Sequence, residues 1–130
     1  TLEGIAFQVT DLVNSIREEL GHPITNLRVD GGACQNQRLL ECQANLGKLL
    51  VERPKITETT ALGAALIGAL GNRIIPSLEK LRGLNPTVYK ANYDPKQEHE
   101  RQKKYQGWSA AVEATQLFAK FEPYQEKKEG

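Results

Sequence analysis

Leu27-Arg28-Val29-Asp30-Gly31-Gly32-Ala33 is the stretch on which the fold turns, with Asn36 four residues past Gly32. Leu27 and Val29 alternate with Arg28, so residues 24–30 read as a short strand. The adjacent glycines mark a sharp turn out of it. Glycines directly after a strand let the backbone approach a ligand that any β-carbon would exclude. The N-terminus of the next helix offers unsatisfied N–H groups and the positive end of a dipole. A planar adenosine can lie against such a turn, and the amide of Asn36, one helical turn on, can reach a base edge. Taken alone, a Gly-Gly pair favours a plain tight turn.

Downstream of the turn, residues 35–46 read as a helix with Leu39, Leu40, Cys42 and Leu46 inward and Gly47 as its stop. Residues 48–52 form a second strand, with Leu49 and Val51 at period two and Pro54 ending it. A strand–helix–strand unit of this length is most simply parallel with a right-handed crossover. Residues 58–70 read as a helix of small side chains, among them Ala61, Gly63, Ala64, Ala65, Gly68 and Ala69. Such a surface lets another backbone approach closely and suits a hinge between two lobes. Its plainer reading is a buried helix.

Upstream, residues 1–20 read as an amphipathic helix with Leu2, Ile5, Ala6, Val9, Leu12, Val13, Ile16 and Leu20 on one stripe. Thr1 suits its start, Gly21 a left-handed stop, and His22-Pro23 turns the chain. Beyond Gly71 the pattern weakens. Residues 77–82 suit a helical turn or two, and residues 85–95 a connection with a strand near Val88. Residues 96–120 read as a long charged helix with Tyr105, Trp108, Val112, Thr115 and Phe118 along one seam, Trp108 as a core anchor. Residues 122–130 read as a tail.

Seventeen basic residues face sixteen acidic ones, which gives no electrostatic reason to expect nucleic acid or an anionic membrane surface. No apolar run approaches the roughly 20 residues that span a bilayer. The two cysteines, Cys34 and Cys42, are too few for a disulfide-stapled scaffold and read as free thiols in a reducing cytosol. The chain contains no Met and begins at Thr1, which reads as a piece of a longer protein with a region upstream.

Together the motifs carry more than each does alone. The glycine turn, then Val51-Glu52-Arg53-Pro54, then Glu58-Thr59-Thr60-Ala61-Leu62-Gly63-Ala64-Ala65, resembles the C-terminal domain of the FGGY carbohydrate kinases. The opening Leu2-Glu3-Gly4-Ile5-Ala6-Phe7-Gln8 is similar to the helix before that turn in the family. Tyr105, Gly107 and Trp108, followed by Ala110-Ala111-Val112, resemble the closing helix of its glycerol kinase branch. The aspartate in Arg28-Val29-Asp30-Gly31-Gly32 points the same way, since a third glycine commonly stands there in xylulokinases. Residues 72–95 match only loosely.

The resemblance implies an α/β chain forming part of the C-terminal lobe of an actin-like (ribonuclease H-like) ATPase fold, with short parallel strands flanked by helices. It implies residues 1–121 as that partial, adenosine-binding domain. It further implies ATP and Mg²⁺ as cofactors, a small polyol or sugar held mainly by an N-terminal domain, a cytoplasmic parent and a homo-oligomer. By position, Gly32 and Asn36 match residues that contact adenine, and Gly31 belongs to the same turn. Gly63, Ala64 and Ala65 match a connecting helix about which closure pivots. Cys34 stands where small aliphatic residues are common, so nucleotide binding is expected to be sensitive to alkylation. The family's catalytic aspartate, substrate-binding residues and phosphate loop all fall upstream, which leaves no catalytic residue here. Asp30 reads as a cap on the turn or the following helix. His22 and His99 lack neighbouring ligands for a metal. Glycerol is the expected acceptor, with a ketose (xylulose, ribulose or sedoheptulose) or a non-catalytic, nucleotide-binding actin-like module as alternatives.

Overall fold

The computed structural model describes residues 2–81 and 83–121. Thr1, Arg82 and residues 122–130 lie outside them, and with them the expected Thr1 cap, the end of the turn over 77–82 and the tail. The chain divides into two compact units, Thr1–Asp94 and Pro95–Gly130.

In the first unit, helix α1 (Leu2–Leu20) leads to strand β1 (Asn26–Arg28), a 3-10 turn (Gly32–Gln35), helix α2 (Gln37–Gly47) and strand β2 (Leu50–Pro54). Helix α3 (Thr59–Gly71), a second 3-10 turn (Leu78–Leu81) and strand β3 (Thr87–Ala91) complete it. β2 is the central strand. β1 lies beside it in parallel, with Leu27 opposite Val51, as the crossover through α2 requires. The sheet is mixed, because β3 pairs on the other side of β2 antiparallel, with Val51 opposite Ala91. The reason lies in the connection after α3. It re-enters the sheet at the end where β2 leaves, and Lys55 N donates to Pro86 O at 2.9 Å there. The ladder shifts register between Arg53 and Pro54, where the proline has no N–H to give.

The core joins Val13 of α1, Leu40 and Ala44 of α2, and Leu49, Val51 and Ala91 around the sheet, with Cys34 beneath the glycine turn. The inward stripe of α1 is turned from the expected one. Ala6, Phe7, Thr10 and Val13 are buried, whereas Leu2, Ile5, Leu12 and Leu20 are exposed. A buried threonine explains the rotation. Thr10 Oγ1 donates to Ala6 O at 2.7 Å and accepts from the buried Gln43 Nε2 at 3.3 Å. One turn beyond Val13, Arg17 Nη2 donates to Ile24 O at 2.6 Å and to Gly47 O at 3.1 Å. These polar groups occupy inward positions because each finds a partner there.

The end of α2 also departs from expectation. Lys48, with φ 52°, takes the left-handed position after the helix, and Gly47 is the last helical residue. Gly47 is required for space instead: a β-carbon there would stand 2.8 Å from Leu49 Cδ1. Cys42, expected inward, is half-buried, and Gln43 and Ala44 fill the face in its place.

α3 holds no buried residue. A β-carbon added at Gly63 or Gly68 would meet nothing within 4 Å. The close helix crossing expected of this segment is therefore not made among the described residues.

The second unit consists of a 3-10 turn (Pro95–Gln97) and helix α4 (Glu98–Ala119). Ion pairs run along it, Arg101–Glu98 at 2.9 Å and Lys104–Glu100 at 3.1 Å. Trp108 is not the core anchor expected, since α4 carries no buried residue. With Val112 and Thr115 it lines a shallow groove on the helix.

Candidate functional site

The glycine turn sits at the C-terminal end of the parallel pair, the end at which ligands settle in open α/β sheets. Val29 N donates to Glu52 O at 2.9 Å, so pairing with β2 continues to the edge of the turn. Gly31 then takes φ 77° and ψ 176°, a conformation in which a β-carbon is strained. Its N–H donates to Thr57 O at 2.9 Å. Its carbonyl accepts from Cys34 N at 3.3 Å and from Cys34 Sγ at 2.9 Å.

Gly32 opens the 3-10 turn and is exposed. A β-carbon built on it meets no atom within 4 Å, so the space above it is open and not taken up by protein. Asn36 closes the same turn, its N–H donating to Ala33 O at 3.1 Å. α2 begins only after Asn36, two residues later than expected, because a 3-10 turn intervenes. Asn36 is therefore the cap of α2: its Oδ1 accepts from Leu39 N at 3.2 Å. With the oxygen engaged, Nδ2 is the group left to donate to an acceptor from outside. Gly32 and Asn36 thus flank one turn, both exposed, and Gly31 supplies its bend.

Asp30 caps neither the turn nor α2. Its Oδ2 accepts a hydrogen bond from Thr59 Oγ1, on the first residue of α3. Gln35 Nε2 donates to Thr57 Oγ1 at 3.2 Å. Together with the Gly31–Thr57 bond, these contacts fasten the glycine turn to the loop that begins α3. The loop is held in turn by Asn85, whose amide exchanges two hydrogen bonds with the backbone of Ile56, at 2.8 and 2.9 Å. Between turn and loop lies an open cleft lined by Arg28, Asp30, Pro54 and Thr59.

Cys34 lies under the turn with 3% of its surface exposed. Burial pushes its thiol above the ordinary value, with the Arg53 guanidinium opposing and Asp30 adding to the rise. A buried, protonated thiol donating to Gly31 O packs as a small core residue, and its burial runs against the sensitivity to alkylation that its place beside the glycines suggests. Both cysteines are free.

Sequence reasoning missed the residues that hold the turn in place: Gln35, Arg53, Thr57, Thr59 and Asn85. Arg53 carries a signal in hindsight. It lies two residues from Val51 on the same strand, and so on the same face, toward α2. The hydroxyls of Thr57 and Thr59 carry none, since contacts spanning more than twenty residues leave no local pattern. Among the described residues, no three His, Cys, Asp or Glu side chains stand close enough to hold a metal ion. No helix among them is long and apolar enough to cross a membrane.

Residues 1–71 match the model of the FGGY family of carbohydrate kinases, C-terminal domain. The chain is 41% identical over 121 residues to a glycerol kinase of Streptococcus uberis, which covers 92% of this chain and 24% of the relative. It is 42% identical over 120 residues to a glycerol kinase of Pseudomonas fluorescens, with the same coverage. The chain therefore spans about a quarter of the length of the curated relatives it matches. Its structure is similar to that of Plasmodium falciparum glycerol kinase with ADP, at a TM-score of 0.74 and 32% identity, over 88% of this chain and 23% of that one. A ligand-bound xylulose kinase from Lactobacillus acidophilus shares the fold at a TM-score of 0.78 and 17% identity, over 95% of this chain and 25% of that one. Strand–turn–helix order, mixed sheet and family match agree with the actin-like ATPase fold of these kinases. The chain belongs to the FGGY family of carbohydrate kinases, matching the family's C-terminal domain over residues 1–71.

Proposed function

We propose that the protein containing this chain transfers a phosphoryl group from ATP to a hydroxyl of glycerol, and that residues 1–121 form the adenosine side of its nucleotide site. The observation that carries this reading is the glycine turn at the C-terminal end of the parallel strand pair, where Gly31 takes φ 77° and Gly32 and the capping Asn36 are both exposed. Gly31 bends the backbone so that the face of Gly32 is bare, a purine ribonucleoside can lie against that face, and Asn36 Nδ2 can donate to a ring acceptor of the base. Glycerol as acceptor is supported by the glycerol kinases at 41 and 42% identity. The ADP in the Plasmodium enzyme supports an adenine nucleotide as donor.

Phosphoryl transfer depends on positioning and on neutralising the charge that spreads over the transferred group. The glycine turn contributes positioning only. Asp30 accepts from Thr59 Oγ1, and we assign it to fastening the turn to α3, with the base for the attacking hydroxyl elsewhere in the protein. Mg²⁺, which is ordinarily held by one or two carboxylates and the phosphates of its nucleotide, would arrive with ATP. The open, small-residue face of α3 suits the pivot of a second lobe, which would bear the acceptor pocket. We place the parent in the cytoplasm, in keeping with the two free thiols of this chain, as a homo-oligomer.

The test is ADP release by the full-length protein, with glycerol set against xylulose, ribulose and sedoheptulose and against no acceptor. Release that depends on glycerol alone is expected. A rate with a ketose would move the acceptor within the family. No acceptor-dependent rate would overturn the kinase reading and favour a non-catalytic nucleotide-binding module. In the same assay the 130-residue chain by itself is expected to release no ADP above background.

A further inference from the structure

The glycine turn is gripped from below by the arginine of the Val51-Glu52-Arg53-Pro54 stretch. Arg53 stands on β2 one residue before the break in the ladder. Its Nη1 donates to Cys34 O at 3.1 Å and reaches Gln35 O at 3.5 Å. These carbonyls end the 3-10 turn that separates Gly32 from Asn36. The guanidinium lies over the ring of Tyr89, its cross-strand partner on β3, 5.1 Å from the ring centroid. Tyr89 in turn donates its hydroxyl to Glu41 Oε1 on α2, at 3.1 Å. Strand, ring and helix thus hold a planar cation against two carbonyls of the candidate site.

We propose that Arg53 is a positioning residue for the nucleotide: it sets the spacing between the bare face of Gly32 and the amide of Asn36. This rests on the adenosine reading of the turn. A 3-10 turn makes weaker hydrogen bonds than an α-helix and readily rewinds or frays. Two of its carbonyls are fixed here by one charged donor, and hydrogen bonds to charged groups are the stronger kind. Lysine is a poorer fit at this position, because an ammonium has no plane to lie on the Tyr89 ring. Arg53 touches neither base nor phosphate on this reading, so its loss should weaken nucleotide binding without altering the acceptor pocket.

The experiment compares Arg53→Lys, Arg53→Ala and Gly32→Val in the full-length protein, with KM for ATP, KM for glycerol, kcat and the thermal midpoint measured for each. For Arg53→Ala we expect KM for ATP to rise about tenfold, the scale of one charge-assisted hydrogen bond. For Arg53→Lys we expect a smaller rise in the same direction. KM for glycerol should stay within twofold in both. A purely structural role would lower the thermal midpoint and the active fraction and leave KM for ATP unmoved, which would overturn the proposal. Gly32→Val separates the two layers of the claim. If it raises KM for ATP and the Arg53 variants do not, the adenosine reading stands and the positioning role falls. If none of the three raises it, both fall.

Discussion

At the scale of single residues, Asn36 on the proposed reading combines two tasks that substitution can separate. Its oxygen caps α2 and its amide nitrogen is left to donate. Aspartate is as good a cap as asparagine but has no N–H to give. Asn36→Asp in the full-length protein should therefore keep the thermal midpoint and raise KM for ATP. Asn36→Ala should do both kinds of harm, with about 1 kcal/mol of stability lost at the cap. A midpoint that falls as far in Asn36→Asp as in Asn36→Ala would show that the capping geometry is misjudged. Cys34 is the second residue with a distinct signature. Burial raises its thiol above the ordinary value of 9.0, so at neutral pH it is protonated as well as covered. Iodoacetamide at neutral pH should leave it unmodified in the folded protein and label it once the chain is unfolded, as mass spectrometry of the peptide would record. The sign of the linkage follows. A thiol held protonated by folding contributes fully below its unfolded value, and that contribution is lost as pH rises through its folded one. Tyr89, raised by burial and by its bond to Glu41, acts in the same direction at higher pH. Rapid labelling of Cys34 at neutral pH would contradict the burial.

At the scale of elements, the end of α2 gives the sharpest prediction. Gly47→Ala places a β-carbon 2.8 Å from the buried Leu49 Cδ1, and Leu49, 1% exposed, has nowhere to retreat. Overpacking of this kind costs about 1–3 kcal/mol, against roughly 1 kcal/mol gained in helix propensity. The thermal midpoint should fall. Lys48→Gly should raise it, because a left-handed backbone at φ 52° costs a side-chain-bearing residue about 1 kcal/mol. The opposite pair of shifts would restore the reading in which Gly47 is the left-handed stop. The same helix shows what a sequence discloses and what it does not. Period-two and period-3.6 patterns placed α1, β1, α2, β2 and α3 in order, since burying one face imposes that period. They misplaced the face of α1, because a hydrophobic pattern counts Leu12 and overlooks Thr10, which is buried through its bonds to Ala6 and Gln43. They made Gly47 a stop because a glycine's need for space and its need for positive φ look identical in a sequence. The glycine turn was legible as a turn. The grip on it from Arg53, Thr57 and Thr59 was not, since those contacts arise only when β2 and the loop before α3 come alongside.

At the scale of the whole molecule, family membership rests on residues 1–71, and the nucleotide reading rests on one turn within them. The chain spans 24% of the glycerol kinases it resembles, and α3 leaves its apolar, small-residue surface bare. Both facts fit one lobe of a two-lobed enzyme in which this lobe orients the nucleotide and another carries out chemistry at the acceptor. If the proposed division holds, the two substrates are separable by mutation. Gly32→Val offers the cleanest separation, because an added β-carbon meets no protein atom within 4 Å and the fold should accept it. The measurement is the pair of Michaelis constants of that variant in the full-length protein, beside its thermal midpoint. A large rise in KM for ATP, with KM for glycerol and the midpoint nearly unchanged, is the expected result. Equal rises in both constants, or no rise in that for ATP, would show that adenosine does not lie against this turn.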